Sequence, residues 1–138
     1  MHAVRTVYRY WAGLFFLAVL VQIGSAGYGA FNAASKSDPG PLGEKSFEEG
    51  FDFHNGLGYV IFLGAVLLFL LALGARLGRR RVLWTLAIAV LVAIQIVLAW
   101  AGEDHPVVGI FHPLNAFLIA GVAGSRAHAA WRRARAIG

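Results

Sequence analysis

Residues 82–102 read VLWTLAIAVLVAIQIVLAWAG and contain no charged side chain between Arg81 and Glu103. Three further uncharged stretches cover residues 10–35, 53–75 and 105–125. A helix needs about 20 apolar residues to cross the hydrocarbon core of a bilayer, and each stretch reaches that length. The sequence therefore predicts four transmembrane helices, over residues 7–31, 53–75, 82–101 and 107–125.

The composition supports a membrane protein. The 138-residue chain is 59% hydrophobic and 14% charged, with a mean hydropathy of +0.67, whereas soluble domains average about 45–50% apolar and about 25% charged residues. The length fits a single domain, residues 1–138. Intrinsic disorder is excluded by the apolar content. The absence of cysteine excludes disulfides, thiolate metal sites and a thiol nucleophile.

The charges separate by loop. All the arginines lie before residue 10, in residues 76–81 or after residue 125, whereas all the acidic residues lie in residues 38–52 and 103–104. The positive-inside rule then places both termini in the cytoplasm. We expect an all-α, up-down transmembrane four-helix bundle in a plasma membrane of bacterial type. Because topology accounts for the basic charge and no nucleic-acid-binding motif is present, we expect no nucleic-acid partner.

Loop and turn residues refine this prediction. The first outer loop, residues 32–52, contains Pro39-Gly40-Pro41, which predicts a turn. Pro106 and Pro113 place the start of the fourth helix near residues 109–112, because proline is tolerated only in the first turn of a helix.

An internal repeat brings two histidines to equivalent places. Gln22 is followed by an outer loop and Phe53-His54, and Gln95 is followed by a shorter loop and Phe111-His112. Spans two and four run in the same direction, so His54 and His112 should lie at similar depth. In a bundle of four, these two helices can face each other across the core.

The neighbours of the histidines favour haem over a bare ion. Gly58 and Ala116 follow His54 and His112 by four residues, hence on the same helix face. A small residue there leaves room for a flat macrocycle beside its axial ligand, and neutral imidazole is a good ligand for haem iron. We therefore expect His54 and His112 to bind the iron of haem b, with Gly58, Ala116, Gln22 and Gln95 lining the cofactor.

Alternatives exist for each residue type. An interfacial histidine often only hydrogen-bonds water or a lipid headgroup. Gln22 and Gln95 have two readings of equal weight, an interhelical hydrogen bond or a hydrogen bond to an axial histidine or a propionate. Lys36, Lys45 and His105 are candidates for contacts with propionates. No carboxylate lies deep in a span, which argues against a zinc or di-iron carboxylate centre.

The two motifs, Phe53-His54-x-x-x-Gly58 and Phe111-His112-x-x-x-Ala116, resemble those of one four-helix half of the haem A synthase family. The resemblance covers nearly the full chain and implies a haem held by histidines of the second and fourth helices. Two family features are missing: Phe51 stands where a glutamate is expected before the first histidine, and there is no cysteine pair. The resemblance thus implies haem binding more than oxidation of a haem methyl group. A homodimer would restore the two sites of the full enzyme.

Two functions from different classes follow. The first is an integral membrane b-type haem protein, with one bis-histidine haem near the outer face. It would act in electron transfer with a quinone or redox partner protein, or in haem A synthase-like haem handling as a haem-linked oxidoreductase. The alternative is a small non-catalytic subunit that scaffolds a larger membrane complex. A transporter is disfavoured, because no span carries a charge at mid-depth.

Overall fold

The computed structural model describes residues 2–36 and 43–135, and the secondary structure within these ranges is helical. In chain order the helices are α1 (His2–Lys36), α2 (Glu44–Gly74), α3 (Arg79–Asp104), α4 (Pro106–Gly109) and α5 (Phe111–Arg135). Four of them are long and α4 is a single turn. The predicted all-α four-helix bundle is confirmed.

The four long helices form a ring. Helix α1 packs against α2 and α5, and α3 packs against the same two helices. Among the described residues, the diagonal pairs α1–α3 and α2–α5 have no Cα atoms within 8 Å of each other. Helices α2 and α5 therefore face each other across the bundle axis, as the up-down arrangement predicts.

Small residues dominate the interior. Buried alanines at the helix contacts let the backbones approach closely, and Leu68, Thr85 and Ile88 are fully buried among them. Large apolar side chains cover the outside instead; Phe31 is 80% exposed and Leu63 is 66% exposed. The four long helices have the length and apolar character needed to cross a membrane. The chain is thus a multi-pass membrane protein.

The helices extend beyond the hydrocarbon core at the end that carries the acidic residues, hereafter the acidic end. Most of the expected loop over residues 32–52 is helical, because α1 continues to Lys36 and α2 begins at Glu44. Lys36 Nζ lies 2.8 Å from Glu49 Oε2 and ties the two extensions together. The turn predicted at Pro39-Gly40-Pro41 lies outside the described residues.

The opposite end, hereafter the arginine end, contains the α2–α3 connection. Arg76 has φ of 49° and Gly78 has φ of 79°. The N–H groups of Arg76 and Leu77 donate to the carbonyls of Leu73 and Ala72, which is the Schellman arrangement that closes a helix C-terminus. This tight reversal makes α2 and α3 antiparallel neighbours.

The break between α4 and α5 follows from Pro113. A proline has no N–H to donate to the carbonyl four residues earlier, so a continuous helix would leave the Gly109 carbonyl without its partner. Helix α5 instead begins at Phe111, within the range that the prolines predict.

Two glycine pairs set the closest helix approaches. A Cβ placed on Gly50 would lie 2.8 Å from the Gly29 carbonyl oxygen, and one placed on Gly102 would lie 2.9 Å from Gly109 Cα. Both pairs lie at the acidic end. A side chain at either contact would force the backbones apart.

We expect Gly50→Ala to destabilise the bundle by about 1–3 kcal/mol, the usual cost of overpacking a close contact. Gly27 is the matched control, because a Cβ there meets nothing within 4 Å; Gly27→Ala should be neutral or stabilising by up to about 1 kcal/mol. Thermal unfolding in detergent, followed by far-ultraviolet circular dichroism, measures both. Equal melting temperatures for the two variants would contradict the assigned contact.

Candidate functional site

The two predicted histidines face each other across the bundle. His54 lies on α2 and His112 is the second residue of α5, both toward the acidic end. Their ring centroids are 6.3 Å apart, and the ring planes are inclined by 56°. Both residues are half-buried. Because α2 and α5 are diagonal, their backbones are not in contact, and the two imidazoles extend into the space between them.

A reciprocal contact with Gln22 of α1 holds His54. The Gln22 side-chain Nε2 donates to the backbone carbonyl of His54 over 2.8 Å. In return, Nδ1 of the His54 ring lies 3.1 Å from the backbone carbonyl oxygen of Gln22. Ser25 adds a hydroxyl 3.1 Å from the same Nδ1, and this hydroxyl donates to the Gln22 carbonyl over 2.8 Å.

The same contact recurs in the second half of the chain. Gln95 Nε2 donates to the backbone carbonyl of His112 over 2.9 Å, and Nδ1 of His112 lies 3.1 Å from the backbone carbonyl oxygen of Gln95. Each glutamine amide thus makes an interhelical hydrogen bond, the first of the two readings. The imidazole itself is contacted by the main-chain carbonyl of the glutamine, and not by its side chain.

These contacts fix the tautomer of both rings. A carbonyl oxygen can only accept, so Nδ1 of His54 and of His112 carries the hydrogen. Nε2 then has a free lone pair, and among the described residues neither Nε2 has a hydrogen-bond partner. An Nδ1–H directed at a backbone carbonyl is the arrangement that orients a metal-binding histidine.

The ring separation fits one metal ion between the two rings. With metal–imidazole bonds of about 2.0–2.1 Å, as in zinc sites, a linear N–metal–N arrangement puts the ring centroids roughly 6 Å apart. The 6.3 Å observed between His54 and His112 matches that spacing.

A cavity of about 290 Å³ surrounds the two imidazoles. Mostly apolar side chains from all four long helices line it, together with Gln22 and Gln95. In its wall, the side chains of Tyr59, Trp100 and Phe117 are 52%, 57% and 65% exposed. The cavity therefore reaches the lipid-facing surface of the bundle.

Gly58 and Ala116 both line this cavity, beside His54 and His112. A Cβ on Gly58 would lie 3.3 Å from Gln22 Nε2. The lack of a side chain at Gly58 therefore also leaves space for the Gln22 amide, which donates to the His54 carbonyl. Of the aromatic residues near the histidines, Phe51 contacts the His54 ring edge-on, with centroids 6.0 Å apart.

The two halves differ in the hydrogen bonding of the glutamine side-chain oxygen. Asn115 Nδ2 donates to Gln95 Oε1 over 2.7 Å and to the Leu91 carbonyl over 2.9 Å. At the equivalent place in the first half, three residues after His54, stands Leu57. Gln22 Oε1 is consequently buried with no hydrogen-bond partner among the described residues.

The polar residues of the outer loops are placed differently from the expectation. Lys36 lies 2.8 Å from Glu49 and Lys45 lies 4.0 Å from it, so both lysines pair with a carboxylate outside the cavity. His105 is exposed and does not line it. Glu103 does line it, because α3 continues to Asp104, beyond the end at residue 101 that the sequence predicts.

Two protein ligands are all that this site offers. Within residues 2–36 and 43–135 there is no group of three or more His, Cys, Asp or Glu side chains arranged to hold a metal ion. A bare cation at the histidines would therefore depend on water or another ligand for the rest of its coordination.

The fold and the site define a four-span membrane protein with a paired-histidine cavity at one end. Residues 22–102 match a family of unknown function, DUF6220. This match covers more than half of the chain, so the protein belongs to that family. The matched segment contains Gln22, His54 and Gln95 and ends before His112. No curated protein and no solved structure matches the chain.

The unequal hydrogen bonding predicts unequal effects of the two glutamines on stability. Gln95→Leu removes two interhelical hydrogen bonds, each worth about 0.6 kcal/mol on average in a membrane protein. Gln22→Leu removes one such bond and also the unpaired buried oxygen, whose loss offsets part of the cost. We expect the larger fall in melting temperature for Gln95→Leu. An equal or larger fall for Gln22→Leu would show that Gln22 Oε1 has a partner, such as a bound water.

Proposed function

We propose that this protein is an integral membrane b-type haem protein in which His54 and His112 are the two axial ligands of one haem. The observation that carries the proposal is the pair of facing imidazoles. Their centroids are 6.3 Å apart, and each ring is oriented by a carbonyl 3.1 Å from its Nδ1.

The donor set favours haem over a bare ion. A porphyrin brings its own four nitrogens, so haem iron needs only one ligand on each face, and the site offers two imidazoles. The apolar lining and the small residues Gly58 and Ala116 suit a flat apolar macrocycle. The resemblance of the two Phe-His motifs to those of haem A synthases points to the same cofactor.

The chemistry of such a site is electron transfer. A bis-histidine haem is six-coordinate, which favours electron exchange over oxygen binding. The protein's own residues hold the imidazoles in one tautomer and present the exposed aromatic wall of Tyr59, Trp100 and Phe117 to the membrane. A quinone or a redox partner protein would approach there. The distribution of arginines supports an orientation with the acidic end at the outer face, in a membrane that we propose is a plasma membrane of bacterial type.

The direct test is an ultraviolet–visible spectrum of detergent-purified protein, oxidised and dithionite-reduced. Wild type should show a sharp Soret band and narrow split bands on reduction. His54→Ala and His112→Ala should each lose the haem or change to a five-coordinate spectrum. His105→Ala is the matched control, because His105 is exposed and lies outside the cavity; its spectrum should equal that of wild type.

Size-exclusion profiles and circular dichroism establish that each variant is folded. A wild-type protein that stays colourless after expression with a haem precursor, and that does not bind added hemin, would refute the haem proposal. A chain that scaffolds a larger complex would give that result. Retention of the wild-type spectrum in either histidine variant would refute the assigned ligand.

Filling the cavity should have the same effect without removing a ligand. Ala116→Leu adds bulk on the face of α5 that carries His112, so we expect at least a tenfold loss of haem occupancy, because the larger side chain would take up cavity space that the macrocycle needs. Gly121→Leu is the control on the same helix, since a Cβ there meets nothing within 4 Å. The haem-to-protein ratio, from the pyridine haemochrome absorbance, measures both. Full occupancy in Ala116→Leu would place the cofactor elsewhere.

A further inference from the structure

A second, larger cavity lies at the arginine end, away from the histidines. Its volume is about 860 Å³, and it is bounded by the start of α1, the α2–α3 connection and the last turns of α5. Arginines from all three segments line it: Arg5, Arg9, Arg76, Arg81, Arg126 and Arg133.

The charge of this cavity is unbalanced. No aspartate or glutamate is among its lining residues. In the part of the chain that the structure describes, both ion pairs are at the acidic end, where Glu49 meets Lys36 and Lys45. Among the described residues, several guanidinium groups thus share one concave space that no acidic side chain lines. Like charges in one cavity repel each other, and a bound anion would offset that repulsion.

Two of the six guanidinium groups are held against aromatic rings. Arg9 stacks on the rings of Trp131 and Tyr10, with its Cζ 4.9 Å and 5.0 Å from their centroids. Arg126 lies 5.2 Å above the Trp84 ring. Stacking of this kind fixes the plane of the fork and leaves its N–H groups free to donate.

One of these groups lacks an acceptor. Arg9 Nε is buried, and the described residues offer it no hydrogen-bond partner. Buried N–H donors are almost always paired, so an anion that binds beside Arg9 would supply the acceptor that this donor lacks among the described residues. Arg5 differs, because its Nε donates to the Ala75 carbonyl over 3.2 Å.

We propose that this cavity binds an anion carrying two phosphate groups. An arginine guanidinium can donate two hydrogen bonds to the oxygens of one phosphate. Six arginines line this cavity, which is more than one phosphate needs. The site lies where the spans end, at the depth of the lipid headgroups, and basic pockets between transmembrane helices at this level bind anionic headgroups. Leu77, Ala129 and Ala130 in its wall suit the apolar part of a lipid. A cardiolipin headgroup and a soluble diphosphate share this chemistry.

The test uses the full-length protein in a neutral detergent. Native mass spectrometry titrates cardiolipin, phosphatidylglycerol and phosphatidylcholine separately, and isothermal calorimetry titrates pyrophosphate. We expect cardiolipin to bind at least tenfold more tightly than phosphatidylglycerol, which has one phosphate. Binding of cardiolipin without pyrophosphate assigns a lipid to the site; binding of pyrophosphate as well assigns the soluble class. Equal affinity for cardiolipin and phosphatidylglycerol, with no binding of pyrophosphate, would overturn the proposal.

Two variants with the same change in net charge distinguish binding in this cavity from general attraction of an anion to a basic surface. R9Q/R81Q/R133Q removes three cavity arginines, and R79Q/R80Q/R132Q removes three exposed arginines that do not line the cavity. We expect at least a tenfold loss of cardiolipin affinity in the first variant, because it removes guanidinium groups that would bind the phosphates. We expect less than a threefold loss in the second, because it removes only exposed charges outside the cavity. Equal losses would overturn the proposal.

A single substitution keeps the test valid if the triple variant does not fold. Arg9→Lys preserves the charge but removes the planar fork, so cardiolipin affinity should fall at least threefold. An unchanged affinity would contradict the role of Arg9. The haem spectrum should not respond to any of these arginine variants, because the two cavities lie at opposite ends of the bundle.

Discussion

The reciprocal glutamine–histidine contact is the constraint on which the acidic end depends. Inside a bilayer an unpaired amide or imidazole N–H is costly, so Gln22 and His54 satisfy each other across α1 and α2, as Gln95 and His112 do across α3 and α5. Each pair locks one ring in one tautomer. Because α2 and α5 are diagonal, the two locked rings face each other across the bundle axis.

The two glycine pairs let the helices come close enough for the glutamine–histidine contacts to form. Gly29 and Gly102 each follow a glutamine by seven residues, on the same helix face, and each meets a glycine that shortly precedes a histidine. The backbones therefore approach closely just beyond the hydrogen bonds. The two halves are related but not equal: Ser25 supports His54, whereas Asn115 supports Gln95. The two imidazoles thus have different hydrogen-bonding surroundings, and a ligand bound between them would have a different electrostatic environment on each side.

The length of the uncharged stretches and the distribution of the arginines were sufficient to predict the number of long helices and their antiparallel order, because both are set by the bilayer. The spacing of Gln22, His54, Gln95 and His112 was sufficient to predict that they share one end. The sequence did not predict the helical extension of α2 back to Glu44, since it depends on the Gly29–Gly50 contact and the Lys36–Glu49 pair. Nor did it predict which atoms of the glutamines contact the imidazoles, because that depends on the rotation of one helix against another.

The position of the histidine cavity would restrict the redox partners of the proposed haem. A haem held there, as proposed, lies near one face and cannot carry electrons across the bilayer alone. Glu103 and the exposed rings of Tyr59, Trp100 and Phe117 surround the cavity, whereas the lysines nearest in sequence are paired with Glu49. An approaching partner therefore meets an apolar, aromatic surface with one carboxylate. That surface suits a lipid-soluble quinone better than an acidic soluble protein, whose negative charge Glu103 would repel.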